Sequence, residues 1–430
     1  MDILSNPSVI GFAVFLLLLL FNMPVFASLA LAALFTIIFF DAAPLVVVPY
    51  ILGGSLDKFP LLATPLFIIA GAMITQSGMS QRIVNLAQVV LGQLPGGLAL
   101  ATLLTGAVIS SMSGSNIATV AALSFLIPAM ASVGYPKPFA VAVVAAGCTF
   151  GVVIPPSLGM IIYGVITEQS IPKLFFAGIG PGLLMFLVLG LCIYFISRRN
   201  GYRGLAVERT WQSFRVAFVD AFWGLMAPVV ILGGIYSGLF TATEAAAVAV
   251  VYIFLIDMLI YRKIGLKNYP NLLLESGKTI GVIVLIIACS SVFAWIWQTQ
   301  GLAALVTSKL IAWSGESSAA MLLMINGLLI VSGAFLEPIA AMYLLVPLVK
   351  PALLSAGVDL VHFGAIMTVN LSMAHLTPPV GVGLMLAAKI GNVPFETAAK
   401  WALPFVICEA VVILLVTFFP PISLFLTGTM

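Results

Sequence analysis

Two polar islands interrupt long apolar stretches, and they hold the residues best placed for chemistry. Ser113, Gly114, Ser115, Asn116 and Thr119 crowd the first; Gly333 and Glu337 mark the second. Downstream of each comes a Pro-Pro break: Pro155-Pro156 after Gly147, and Pro378-Pro379 after Asn370 and Thr377. A broken helix leaves carbonyls without helical partners, and neighbouring hydroxyls, amides or a carboxylate complete an oxygen cage. Such donors suit a hard monovalent cation, so Ser113, Gly114, Asn116, Thr119, Gly147, Gly333, Glu337, Asn370 and Thr377 are candidate sodium ligands. Ser115, Pro155, Pro156, Ser157, Pro378 and Pro379 are the candidate substrate contacts. Neither tip has a clear cationic side chain, which leaves backbone N–H groups at helix N-termini to meet an anion. Helix packing is the competing account for any single Ser, Thr or Gly here. For Glu337 the competing account is a hydrogen bond to the local backbone.

Other motifs carry less. Ser276-Gly277-Lys278-Thr279 resembles the end of a phosphate loop, but Leu272 stands where its first glycine belongs and no strand precedes it, so ATP hydrolysis is excluded. Ser113 with His375 suggests an intramembrane hydrolase, a remote alternative, because Ser111 replaces the expected glycine and the serine has no repeat counterpart. His375 is either a packed neutral imidazole or a pH sensor. Cys148, Cys192, Cys289 and Cys408 lie in apolar stretches without metal-like spacing and read as packed thiols. No cofactor is expected beyond Na+ as coupling ion, and no nucleic acid or ATP.

The elements that must position these groups are transmembrane helices. The chain is 62% hydrophobic and 7% charged, with mean hydropathy +1.24, whereas soluble domains carry about a quarter charged residues. It also repeats internally. An offset of 223 carries Pro155-Pro156 to Pro378-Pro379, Pro128 to Pro351, Gly134 to Gly357, Pro181 to Pro404 and Gly78 to Gly301. Matched Gly/Pro interruptions point to a transport site at a repeat interface. Spans are expected near 8–22, 24–40, 61–78, 138–165 and 174–197, then 216–240, 245–261, 280–298, 362–388 and 401–420. The polar islands centre two re-entrant hairpins, about 96–136 and 317–357. Segments 41–60 and 262–279 read as interfacial arms.

Each half then crosses five times, so the expected fold is an all-α integral membrane protein of two inverted-topology repeats. The first repeat is 1–197, the cytoplasmic linker 198–215 and the second repeat 216–430. With both termini periplasmic, 13 of the 17 Lys and Arg face the cytoplasm and 4 do not, as the positive-inside rule requires. The five arginines of the linker are a juxtamembrane anchor in the lipid bilayer. The first span follows no Lys or Arg and reads as a retained helix rather than a signal peptide.

Taken together, several motifs resemble the large membrane subunit of TRAP (tripartite ATP-independent periplasmic) transporters, over essentially the whole chain. They are Ser113-Gly114-Ser115 with Ala118-Thr119, Gly134-Tyr135, Gly151 to Ser157 and Ala177 to Gly182. The second half adds Phe335-Leu336-Glu337-Pro338, His362-Phe363-Gly364 and Thr377-Pro378-Pro379-Val380-Gly381. Position 337 is often Asp in such proteins; Glu keeps the acceptor oxygens. The resemblance implies sodium-coupled, ATP-independent uptake of an organic acid, such as a dicarboxylate, sialic acid or another sugar acid. Delivery is by a soluble periplasmic binding protein, at the bacterial inner membrane. It also implies an elevator mechanism and a small four-helix membrane subunit, expected here as a separate polypeptide because the repeat begins within the first span. It implies no enzyme activity. The alternative is a single-component sodium–carboxylate symporter.

Overall fold

The protein is described by a computed structural model covering residues 6–21, 23–202, 204, 210–315 and 317–429. The first half contains α1 (Pro7–Leu20), α2 (Val25–Phe40), α3 (Val47–Leu56), α4 (Ala63–Gln76) and α5 (Met79–Leu91). Next come α6 (Gly97–Ser113), α7 (Asn116–Leu123), α8 (Leu126–Ser132), α9 (Lys137–Cys148), α10 (Leu158–Thr167) and α11 (Ile171–Asn200). The second half contains α12 (Trp211–Tyr236), α13 (Ala242–Ile256), α14 (Tyr269–Thr299), α15 (Leu302–Ser314) and α16 (Ser318–Gly333). It closes with α17 (Pro338–Ser355), α18 (Leu360–Met373), α19 (Val382–Gly391), α20 (Phe395–Phe418) and α21 (Pro421–Leu424). Among the described residues there is no strand. Among the same residues seven helices are long and apolar enough to cross a bilayer, and shorter apolar helices accompany them.

The sequence repeat is a structural one. Adding 223 to the limits of α5 gives those of α15, and α9, α10 and α11 start within two residues of α18, α19 and α20 under the same shift. Gly78 and Gly301 both take positive φ, as do Gly134 and Gly357, and both Pro-Pro bonds are cis. Pro181 and Pro404 both sit inside their helices.

Packing divides the helices into two groups. α1 to α4, α13 and α14 pack on one another, α12 on α13 and α5. The second group joins α6, α9, α11, α18, α19 and α20, with α16 on α18 and α10 on α17. Close approach inside it relies on small residues. A Cβ on Gly106 of α6 would overlap the Gly147 carbonyl of α9, which is backbone and cannot rotate away. Gly106→Val should therefore lower stability by about 1–3 kcal/mol through overpacking. Gly281→Ala, which meets nothing within 4 Å, should not. Thermal unfolding of both in detergent checks this.

Three expectations need correction. The spans 138–165 and 362–388 are each two helices around an irregular break, because the cis Pro-Pro pairs and the turns preceding them interrupt the ladder. The arm 262–279 is not a separate helix. From Tyr269 it runs unbroken into α14, whose 31 residues reach roughly 46 Å at 1.5 Å each, so one end must leave an apolar core of about 30 Å. Its counterpart, α3, does end before α4, at Leu56. Finally α5 and α15 are helices where no element was expected. Within the expected linker, α11 continues to Asn200 and α12 starts at Trp211. Arg203 and Arg209 lie outside the described residues.

Candidate functional site

Both hairpins end where the sequence places their tips. α6 stops at Ser113 and Gly114 turns the chain at φ +58, a conformation a side chain rarely tolerates. Ser115 then caps α7, its hydroxyl accepting from Ala118 N–H. In the second half α16 ends at Gly333, and Glu337 caps α17 by accepting from Ile339 N–H at 3.0 Å. Ser157 caps α10, and Gly381 precedes α19. One cleft of about 380 Å³ touches all four of these helix starts, at Asn116, Leu158, Pro338 and Val382. Its opposite walls are Thr75 and Gln76 of α4 and Glu275, Ser276 and Thr279 of α14. Among the described residues no Lys or Arg lines it.

The first tip gathers oxygens. Thr119 Oγ1 lies 3.0 Å from Ser110 Oγ and 3.4 Å from Ser113 Oγ, and it donates to the Ser115 carbonyl at 3.0 Å. Ser113 Oγ also reaches that carbonyl, at 3.3 Å. Beside them the Asn116 amide is buried, and neither of its polar atoms has a hydrogen-bond partner. A Cβ on Gly151 would strike Asn116 Oδ1, which sets this amide against the first break. A buried amide without partners costs about 1–3 kcal/mol, and a cation among hard oxygens would remove that cost. Gly114 closes the cluster, with the Pro156 carbonyl 3.5 Å from where its Cβ would be.

The second tip is built differently. Asn370 Nδ2 donates to Asn326 Oδ1 at 3.0 Å, and Asn326 Nδ2 to Thr417 Oγ1 at 2.9 Å, tying α18 to α16 and α20. Its Oδ1 stays buried without a partner. Thr377 Oγ1 donates to the Met373 carbonyl at 2.8 Å and keeps its lone pairs. Gly333 packs on Ala374 at the helix crossing, as Gly147 packs on Gly106. Of the substrate candidates, Ser115 lines the cleft; Pro155, Pro156 and Ser157 are buried beneath it, and Pro378 and Pro379 are exposed outside it. Sequence reasoning missed Ser110, one helical turn before Ser113, and the α14 wall. The polar spacing 275, 276 and 279 was the available signal for that wall.

Glu337 has two separable roles. Glu337→Ala should cost about 1 kcal/mol as a lost N-cap, whereas Glu337→Gln keeps an acceptor and most of that stability. If it also holds a cation, both variants should weaken sodium activation of uptake. Wild-type activation in both would leave it a cap alone.

The family described as "Tripartite ATP-independent periplasmic transporter, DctM component" matches residues 12–422. The chain belongs to the DctM family of TRAP transporters. It is 40% identical to the isethionate TRAP transporter permease protein DctMQ of Oleidesulfovibrio alaskensis, over 98% of this chain and 67% of that one. It is 36% identical to the C4-dicarboxylate TRAP transporter large permease DctM of Pseudomonas aeruginosa, over 92% and 93%. Identity to the sialic acid large permease SiaM of Vibrio cholerae is 35%, over 95% and 96%. The fold is also that of the YdaH transporter of Alcanivorax borkumensis, at TM-score 0.62 and 15% identity, covering 97% of this chain and 100% of that one. This DctM-type chain is thus a multi-pass membrane permease, one component of a system with other subunits, and not an enzyme.

Proposed function

We propose that this DctM protein imports an organic acid with sodium, after delivery by a periplasmic binding protein and beside a separate small membrane subunit. The observation carrying this reading is the single cleft on which four helix N-termini converge without a cationic side chain. Each N-terminus carries roughly half a positive charge, so an anion is held by backbone N–H groups that bind carboxylate or sulfonate oxygens equally well. The Asn116, Ser113 and Thr119 oxygens supply the first sodium site; Glu337 and Thr377 serve the second. The permeases named for isethionate, C4-dicarboxylates and sialic acid define the range of acids to try.

The 13-to-4 distribution of cations supports an inner-membrane orientation with both termini periplasmic. In that orientation Gln76 and the start of α14 lie at the cytoplasmic side, so the cleft opens inward. Five crossings in each half make the repeats at 1–197 and 216–430 inverted, joined at 198–215. Proteoliposome uptake with the cognate binding protein should stop when sodium is replaced by potassium and should ignore ATP. Unchanged uptake in potassium would remove the sodium reading. Undiminished uptake without any binding protein would favour the single-component symporter.

A further inference from the structure

Away from the transport cleft, α5 and α12 leave a groove of about 690 Å³ that the transport reading does not use. Arg82 and Arg215 both line it, with Gln212, and among the described residues Asp220 is its one carboxylate. Asp220 is already committed: it pairs with Arg82, whose guanidinium lies 4.0 Å from the centre of the Tyr261 ring. Tyr261 Oη in turn donates to the Asp220 carbonyl at 3.2 Å. Arg82 is thereby held in place with N–H donors left over. Arg215 is exposed and makes no ion pair among the described residues. Two guanidiniums against one carboxylate leave a net positive groove.

The walls identify what it would take. Val216, Val219 and Trp223 of the membrane-crossing α12 line the groove and are exposed. One turn before Arg215, Trp211 is 78% exposed, the position of an interfacial aromatic. A second cleft shares Gln212, Val216 and Asp220 and adds the amides of Asn85 and Gln88 and the hydroxyl of Ser213. Positive charge thus sits at the head of an apolar stripe, beside a hydroxyl- and amide-lined shelf. We propose that this groove is a binding site for an anionic phospholipid with a glycerol headgroup. Its phosphate lies between Arg215 and Arg82, its headgroup on the Asn85–Ser213 shelf, and its acyl chains along Val216, Val219 and Trp223. A soluble anion would gain nothing from the apolar stripe, and a protein helix would have to bring its own carboxylate to Arg215, whereas a phospholipid joins phosphate and acyl chains in one molecule.

The test is native mass spectrometry of the purified full chain with tail-matched phosphatidylglycerol, phosphatidylethanolamine and phosphatidylcholine. Wild type should retain phosphatidylglycerol preferentially. R215Q should lose about fivefold of that retention, the order expected for one cation at a membrane surface, with its unfolding temperature unchanged. K309Q, an exposed cation elsewhere, should behave as wild type. Equal retention of the three lipids, or an R215Q indistinguishable from wild type, overturns the proposal. Displacement by millimolar glycerol 3-phosphate would reassign the groove to a soluble anion. Loss of phosphatidylglycerol on co-purification with another membrane subunit would make it a protein interface.

Discussion

Asn116→Ala should raise the sodium concentration needed for half-maximal uptake by at least about tenfold, while the sodium-free protein unfolds no earlier than wild type. The two effects have opposite physical origins. The Asn116 amide is buried with both polar atoms unpartnered, so deleting it removes a desolvation cost of about 1–3 kcal/mol from the ion-free fold. In the proposed sodium site the same amide oxygen would be a ligand, and losing about 1.4 kcal/mol of binding is tenfold in affinity. Sodium also stabilises whatever state binds it. The sodium-induced rise in unfolding temperature should therefore be large in wild type and nearly absent in the variant. Ser113→Ala and Thr377→Ala delete one hydroxyl each and leave little cavity, so they should weaken sodium activation in the same sense and by less. Wild-type sodium curves in all three would make these groups packing elements.

The repeat was legible because Gly and Pro act locally. A positive-φ glycine or a Pro-Pro pair needs no tertiary partner to mark its position, and Gly78 with Gly301, Pro155 with Pro378 and Pro181 with Pro404 all fall in equivalent structural places. The hairpin tips were legible for the same reason. What depends on partners was not. Gly147 and Gly333 are expected cage residues, and each also lies at a helix crossing, against Gly106 and Ala374; a small residue looks the same in either role. Asn370 is an expected ligand, and its amide nitrogen also donates to Asn326, 44 positions away, which in turn donates to Thr417, 91 positions further, a chain that sequence spacing does not reveal. The junction of the second arm with α14 was hidden because an apolar helix entering the membrane and an interfacial helix share composition until a break separates them. Offset 223 pairs Gly114 with Glu337 and Ser157 with Val380, so the two tips share a scaffold and differ in chemistry.

A cysteine pair at Ser276 and Ala121, joined by a bifunctional maleimide, should stop transport and give it back when a cleavable linker is cut. These residues line opposite walls of the cleft, Ser276 on α14 and Ala121 on α7 behind the first tip. α14 packs with α2, α3 and α4, while α7 packs with α6, α9 and α19, so the cleft divides two bodies that also meet along α4, α14 and α17. Two related repeats of opposite orientation can exchange conformations, which places inward and outward states at similar energy. In an elevator, the body carrying both tips slides with substrate and sodium past α4 and α14, so a tether between Ser276 and Ala121 must hold it in one state. The four native cysteines need replacement first, and transport by the cysteine-free background sets the reference. Binding of sodium, read from its effect on unfolding temperature, should survive the tether, because the oxygens of Ser113, Asn116 and Thr119 belong to one body. Full transport by a quantitatively tethered pair would exclude the sliding motion and leave local opening of the hairpin tips as the gate.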